Sequence, residues 1–478
     1  MKTGTYYLVR KAGSGDDMGF SPHLAERRFG YGRSPSIAPP ENIAGMLGRL
    51  RGKDLMAERF PVPGFRQLQD GHVVKARFDA FARKKATTPE QAAEAREKSD
   101  EIEQRFRHQQ LETFAQQQLR RIHSKDNFRE RLVDFWSDHF TAQGKSGLLK
   151  LAIPAYVEEA VRPHVSGRFV DMLSACITHP VMLEYLDQST SVGPNSKRGR
   201  RKGNRRGLNE NLARELLELH TLGVGAAYSQ TDVRQMAELL TGLTRTRDYS
   251  FVFRKGWAEP GAETVLGKTY SDQPGMQPIR NALSDLAMHP STARHLAGKL
   301  AVHFISDTPT ERTIGRLTRT YLDSDGDLMA VYEALLNDPA AWDSPPTNIR
   351  PPLEYMSTAL RALAVPPDRF AALTPKETLR WFLRPLKIMG QDWDRVSGPD
   401  GWPETDAAWV TPQGVAARLD WAMNVPARLL DDLPDPQQML QDIVGPDATD
   451  ALKFAASAAE TQAVGVGLIL ISPALQRR

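Results

Sequence analysis

The sequence is nearly devoid of cysteine: Cys176 stands alone among 478 residues. No intramolecular disulfide can form, so stability must come from packing, and a reducing compartment is allowed. Cys176 lies in the apolar run of Met172, Leu173, Ala175 and Ile177, the setting of a buried, inert thiol rather than a reactive one. Long hydrophobic runs are also missing. The longest, Ala463 to Ile471, falls far short of the roughly 20 residues that span a bilayer, so neither a transmembrane helix nor a membrane partner is expected. The first residues include Lys2, Arg10, Lys11, Asp16 and Asp17 and lack the apolar stretch of a secretory signal. They read as cytoplasmic, with a periplasmic or exported setting if the native N-terminus is longer. Familiar catalytic patterns are absent as well: there is no Gly-x-Ser-x-Gly elbow, Walker loop, His-Glu-x-x-His or Cys-x-x-Cys.

What is present is the composition of a folded chain, 40% hydrophobic and 25% charged, with length enough for two or three cores. The formal net charge is +4, yet residues 197–206 alone hold Lys197, Arg198, Arg200, Arg201, Lys202, Arg205 and Arg206 with no acid. Without these seven, 55 basic residues face 58 acidic ones, so the basic excess is one loop and the body is no general polyanion binder. The loop could touch a phosphate backbone, but it has no aromatic residue to stack a base and no recognition-motif spacing. It reads as a disordered, solvated insert, and a nucleic-acid partner is not expected.

Apolar residues recur at three and four positions almost throughout, which predicts an all-α fold: one large helical body, one small β-hairpin insertion and a long exposed helix. The expected organisation is an N-terminal helical segment over 1–85, a long charged helix over 86–125 and a main helical domain over 126–478. Thr88, Pro89 and Gln91 form a capped start with a capping box. From Leu111 the positions Leu111, Phe114, Ala115, Leu119 and Ile122 give that helix a core face, while its first half should be exposed. Helix-to-helix corners are expected at His179-Pro180, His289-Pro290, Asp338-Pro339 and Ser472-Pro473, because the residue before proline is pushed out of the α region. The likeness of LSACITHP to LSDLAMHP also fits an old duplication or a chance match. Alternation over Tyr249–Arg254, the Pro260-Gly261 turn and Thr264-Val265-Leu266 predict the hairpin, over 249–266.

The most distinctive segment is GLNENLARELLELHTLGV, Gly207 to Val224. On a regular helix Asn211, Arg214, Glu215, Glu218 and Leu222 share one arc, opposite Leu212, Leu216 and Leu219. Glu215 and Glu218 could converge on one ligand or a divalent metal, though a matching Glu-x-x-His is missing. His220, two positions beyond Glu218, points the other way unless the helix unwinds before Gly223. The plainer reading is a solvated face with Arg214 and Glu218 as a weak surface pair. Asp187, Ser189, Ser191, Asn195 and Ser196 enter this helix and could hold an anion, or could serve only to satisfy its N-terminus. His139 shares an apolar stripe with Leu132, Phe135, Trp136 and Phe140 and reads as a hydrogen-bonded core histidine, with Asp138 off that stripe.

The run Asn209-Glu210-Asn211, Ala213-Arg214-Glu215, Glu218-Leu219-His220-Thr221-Leu222-Gly223 resembles the signature of the bacterial domain-of-unknown-function 1800 (DUF1800) family. The blocks FWSDHF (135–140), HPVMLEYLD (179–187), SVGPNS (191–196) and YSQTDVRQMAELLTG (228–242) are similar to it too. So are TVLGKTY (264–270), HPSTARHLAGKL (289–300), PLEYMSTALRAL (352–363) and GWP (401–403). The likeness implies a large, largely helical bacterial protein without an assigned activity, often exported and often encoded beside sulfatase-like or phosphatase-like proteins. Where the family commonly carries a His-Asp pair and a lysine before the TVLG block, this chain has Ala258, Glu259 and Glu263. With the resemblance, Asn209, Asn211, Arg214, Glu215 and Glu218 are expected either to line a cleft or to form a buried network. Two functions stay open: a hydrolase-like enzyme for an anionic or sugar-like substrate, with Glu215 and Glu218 as its catalytic carboxylates, or a non-catalytic partner of a phosphatase- or sulfatase-like protein.

Overall fold

A computed structural model describes residues 19–145, 147–343 and 346–478, so residues 1–18 of the expected N-terminal segment lie outside the described residues. The long helix forms, as Pro89–His123. Thr88 Oγ1 accepts the Gln91 N–H at 3.3 Å, but the Gln91 side chain reaches back to the Thr87 N–H, at 3.0 Å, one residue short of a capping box on Thr88. The first half of this helix is not free. Phe65–Lys84 packs along it and buries Ala95, Ser99 and Ile102, with Ser99 Oγ donating to Asp79 at 2.6 Å. The mean pattern there is too polar to announce a partner, because one narrow stripe of small and β-branched side chains is enough for a helical pair.

Two cores result. One gathers Phe29, Trp136, Phe169, Leu216, Leu300 and Tyr332 from the first 342 residues. The other gathers Tyr355, Phe382, Trp421 and Ile469 from the last third, and the second half of the long helix, through Phe114, Leu119 and Ile122, is part of it. The expected core face is therefore real.

The Pro corners are built as the backbone chemistry requires. His179 and His289 stand at ψ 135° and 136°, and each turns its Nδ1 to accept the N–H two residues on, from Val181 at 3.2 Å and Ser291 at 3.1 Å. The helices ending in these two corners, Phe169–Thr178 and Met276–Ala287, pack against each other. Cys176 is fully buried, and burial pushes its thiol far up, out of the reactive range.

The strands pair differently from the expected single hairpin. Phe251–Phe253 runs back antiparallel to Leu243–Arg245, and Thr264–Val265 pairs forward with Lys268–Thr269. Leu266, expected to extend a strand, has φ +50° and Gly267 has φ +76°; two left-handed residues in a row are the two-residue turn that closes a tight hairpin. Among the described residues, no helix is long and apolar enough to cross a membrane.

Candidate functional site

The signature helix changes its winding midway. Asn211–Glu215 is α-helical and Leu216–Thr221 is a π turn, with the Leu222 N–H bonded to the Leu217 carbonyl at 3.0 Å. A wider turn rotates the residues beyond it. Leu217 and Leu222 enter the core, Leu219 keeps some exposure, and the arc expected from a regular helix loses Leu222. Glu215 and Glu218 stay together on the half-buried outer face, whereas His220 is fully enclosed and does not join them.

Histidines from two other helices meet the end of this one. Its carbonyls at Leu219 and His220 accept from His295 Nε2 at 3.1 Å and His139 Nε2 at 3.2 Å. A carbonyl can only accept, so both rings carry their proton on Nε2 and present a lone pair on Nδ1. His139 is thus the hydrogen-bonded core histidine that the apolar stripe suggested. Burial first, and then the Lys299 ammonium, hold His139, His220 and His295 below the usual imidazole range, His220 at about 3.

Lys299 is the centre of charge here. It is half-buried one turn beyond His295, and among the described residues it makes no hydrogen bond and no ion pair. Its charge also reaches Asp138 and Glu404. Asp138 comes from the last turn of Asn127–His139, beside His139, and accepts the Trp402 N–H at 2.7 Å. The chain can pass that close because residue 401 is glycine: φ is +84°, and a Cβ there would lie 2.5 Å from Asp138 Oδ2. Burial pushes the Asp138 carboxyl up to about 7, Lys299 and the Trp402 N–H oppose the shift, and Glu404 and Asp400 add to it.

Behind Asp138, between the two cores, lies a cavity of about 160 Å³ lined by Asp138, Asp394, Glu404, His303, Arg121 and Arg131, among others. Most of its charges are paired. His303 Nε2 faces Arg131 at 2.8 Å and Arg478 at 3.0 Å, and guanidiniums only donate, so Nε2 accepts and the Nδ1–H donates to Glu404 at 2.8 Å. Burial alone would raise Glu404, but His303, Lys299 and Arg131 together bring it below the ordinary carboxylate range. Asp394 differs: Oδ2 has no partner among the described residues, the backbone sits at φ +55°, and burial lifts the carboxyl to about 7 against Arg121.

The residues singled out from the sequence fall in three places. Glu215 makes no hydrogen bond, and its carboxyl is raised by burial and then by Glu218, with Asp400 adding. Glu218 accepts from Tyr228 OH at 2.5 Å, and Arg214 spans Gln230 at 3.0 Å, Glu210 at 3.5 Å and Glu218 at 3.9 Å on the solvent side. Neither carboxylate lines the cavity. The residues entering the helix satisfy their own surroundings: Asp187 pairs with Lys145 at 2.7 Å, Ser191 Oγ accepts the Asn209 N–H at 3.0 Å, and Asn209 Oδ1 accepts the Asn211 N–H at 2.8 Å. Asn195 donates to Glu259 through its amide side chain at 2.6 Å and its backbone at 2.9 Å. Glu259 is therefore a latch for the incoming loop. Among the described residues no three His, Cys, Asp or Glu side chains are placed together to hold a metal ion.

His295, Lys299 and His303 had a legible signal, since positions four apart along Pro290–Phe304 share one helix face. Asp400 and Glu404, in an irregular Gly/Pro/Trp loop, had none. The segments FWSDHF, the signature helix, HPSTARHLAGKL and GWP, dispersed over 269 positions from Phe135 to Pro403, meet at this one place. The family described as "Protein of unknown function (DUF1800)" matches residues 26–477, and neither a curated protein nor a solved structure matches the chain.

Proposed function

The chain belongs to the DUF1800 family, and on that premise we propose that it is an acid–base enzyme for an anionic or sugar-like substrate, bound where Lys299, Asp138 and the signature helix meet. The observation that carries this reading is Lys299, a half-buried ammonium without a hydrogen bond or ion pair among the described residues. Lysines are seldom withdrawn from water without a partner, and a substrate anion supplies one. Asp138, with its carboxyl at about 7, holds or gives up a proton at neutral pH, which suits a general acid for a leaving oxygen. Glu215, raised and without a hydrogen bond, is a further carboxyl, and the Asp400 charge acts on it as on Asp138. His139 and His295 act as positioning residues, because their Nε2–H bonds hold the end of the π turn.

The test is a thermal-shift and hydrolysis screen of the full chain with inorganic phosphate, sulfate and nitrophenyl phosphates, sulfates and glycosides. Lys299→Met should weaken the stabilising anion by roughly 10- to 100-fold, the worth of one charge-assisted hydrogen bond, with the melting temperature of the free protein unchanged. Asp138→Asn should retain the anion and lose turnover. A Lys299→Met protein that binds every anion as the wild type does would overturn the assignment.

A second reading has its own observation. Leu379, Ile388, Val415 and Leu419 are exposed on neighbouring helical segments of the last third, an apolar face of the sort that docks a protein partner such as a phosphatase- or sulfatase-like enzyme. Leu379→Glu with Val415→Glu would abolish such docking and leave anion binding at Lys299 intact.

A further inference from the structure

The strongest charge on the molecule lies elsewhere. Residues 197–206 and the approach to them are tied to a turn far along the chain: the Gly193 N–H bonds the Trp257 carbonyl at 2.9 Å and the Arg198 N–H bonds the Gly256 carbonyl at 2.8 Å. The loop is thereby shaped, contrary to the disordered insert expected from its composition, and Arg254 and Lys255 are added to its seven cations. The aromatic residue that the loop lacks is supplied by the same turn. Arg206 and Arg254 lie against the Trp257 ring, 4.7 and 4.9 Å from its centroid.

These nine cations are uncompensated. None forms an ion pair among the described residues, and their one side-chain hydrogen bond is a 3.4 Å contact from Arg200 to Asn195. The acid beside them, Glu259, is 8% exposed and turned inward to Asn195. Like charges held together on shaped backbone repel one another, and the arrangement is relieved by an anion that bridges several of them. The rest of the chain, with 55 basic and 58 acidic residues outside the loop, adds no attraction, so the field is confined to this face.

We propose that the 197–206 loop and the 254–257 turn form one platform that grips the phosphodiester backbone of a nucleic acid without reading its sequence. Five of the seven loop cations are arginines, whose planar forks match phosphate oxygens two at a time. The loop has no apolar side chain to enter a lipid surface. Base reading is also unprovided for: the Asn204 amide donates to the Arg206 and Gly199 carbonyls, and the Trp257 ring is already taken by guanidiniums.

Fluorescence anisotropy of the full chain with labelled 20-nucleotide DNA, single-stranded and duplex, of two unrelated sequences tests this. Both sequences should bind alike, with log K falling against log salt at a slope of about −3 to −6, as counterions leave several phosphates. The combined variant Arg200→Ser, Arg201→Ser, Lys202→Ser, Arg205→Ser keeps Arg206 on Trp257, so it should melt with the wild type and bind at least about tenfold more weakly. Binding that survives these substitutions overturns the proposal. So does no binding at 50 mM salt, or tighter binding to heparin fragments or to phosphatidylserine vesicles than to DNA.

Discussion

Glu354 is 6% exposed and forms ion pairs with three guanidiniums, those of Arg131, Arg350 and, at 3.4 Å, Arg478. Charges so deep are tolerated only as a matched set, because an ion stranded away from water loses its hydration without return. Glu354→Gln should therefore lower stability by about 3 to 5 kcal/mol, read as a shifted urea midpoint with an unchanged slope. Glu215→Gln is the contrasting case. Its carboxylate is half-buried and makes no hydrogen bond, so the amide should alter unfolding by less than about 0.5 kcal/mol while removing ligand turnover. A large loss of stability in Glu215→Gln would mean that the residue serves the fold, and the cleft role proposed for it would fall.

At the scale of the element, the close passage of residues 398–404 over the end of Asn127–His139 sets the position of Asp138. Gly401 is needed twice there, for its left-handed backbone and for the missing Cβ 2.5 Å from the carboxylate. Gly401→Ala should cost about 1 to 3 kcal/mol through backbone strain and push Asp138 off the Trp402 N–H. Anion binding at Lys299 should persist while turnover falls, and equal turnover in Gly401→Ala would show that this contact does not position Asp138. The π turn works in the same register-setting way: one wider turn moves Leu217 inward and Leu219 outward, which no residue count at 100° per position could anticipate.

For the whole molecule, stability should fall as pH rises from the ordinary carboxylate range through neutrality. Asp138, Asp394 and Glu263 are lifted by burial to about 7, so the folded chain holds protons there that the unfolded chain has already released. Stability from these protons is present in full below the unfolded carboxylate value and is lost as pH rises to and through the folded value. Between pH 6.5 and 8.5 each group should lose roughly 1 kcal/mol, and the triple change Asp138→Asn, Asp394→Asn, Glu263→Gln should flatten the profile. The lowered histidines act on the acid side instead, where the unfolded chain takes up protons that His139 and His220 refuse. A melting temperature that climbs from pH 6.5 to 8.5 would contradict the raised carboxyls.

The sequence by itself determined what local chemistry can determine. Helix periodicity, the proline corners at His179 and His289, the buried thiol of Cys176 and the core faces of Phe114, Leu119 and Ile122 all come from spacing and backbone restriction within a few residues. The family signature was legible in the same way, as a contiguous run. Only the tertiary structure decided which distant residues share a place. Lys299 is one more surface lysine until helices from three parts of the chain enclose it, and Asp138 is an ordinary aspartate until Gly401 lets a loop from 263 positions away cover it. Trp257 reached the basic loop by two backbone hydrogen bonds that no composition encodes. Partnerless charge and raised carboxyls come from burial, and burial is a property of the packed chain rather than of any segment of it.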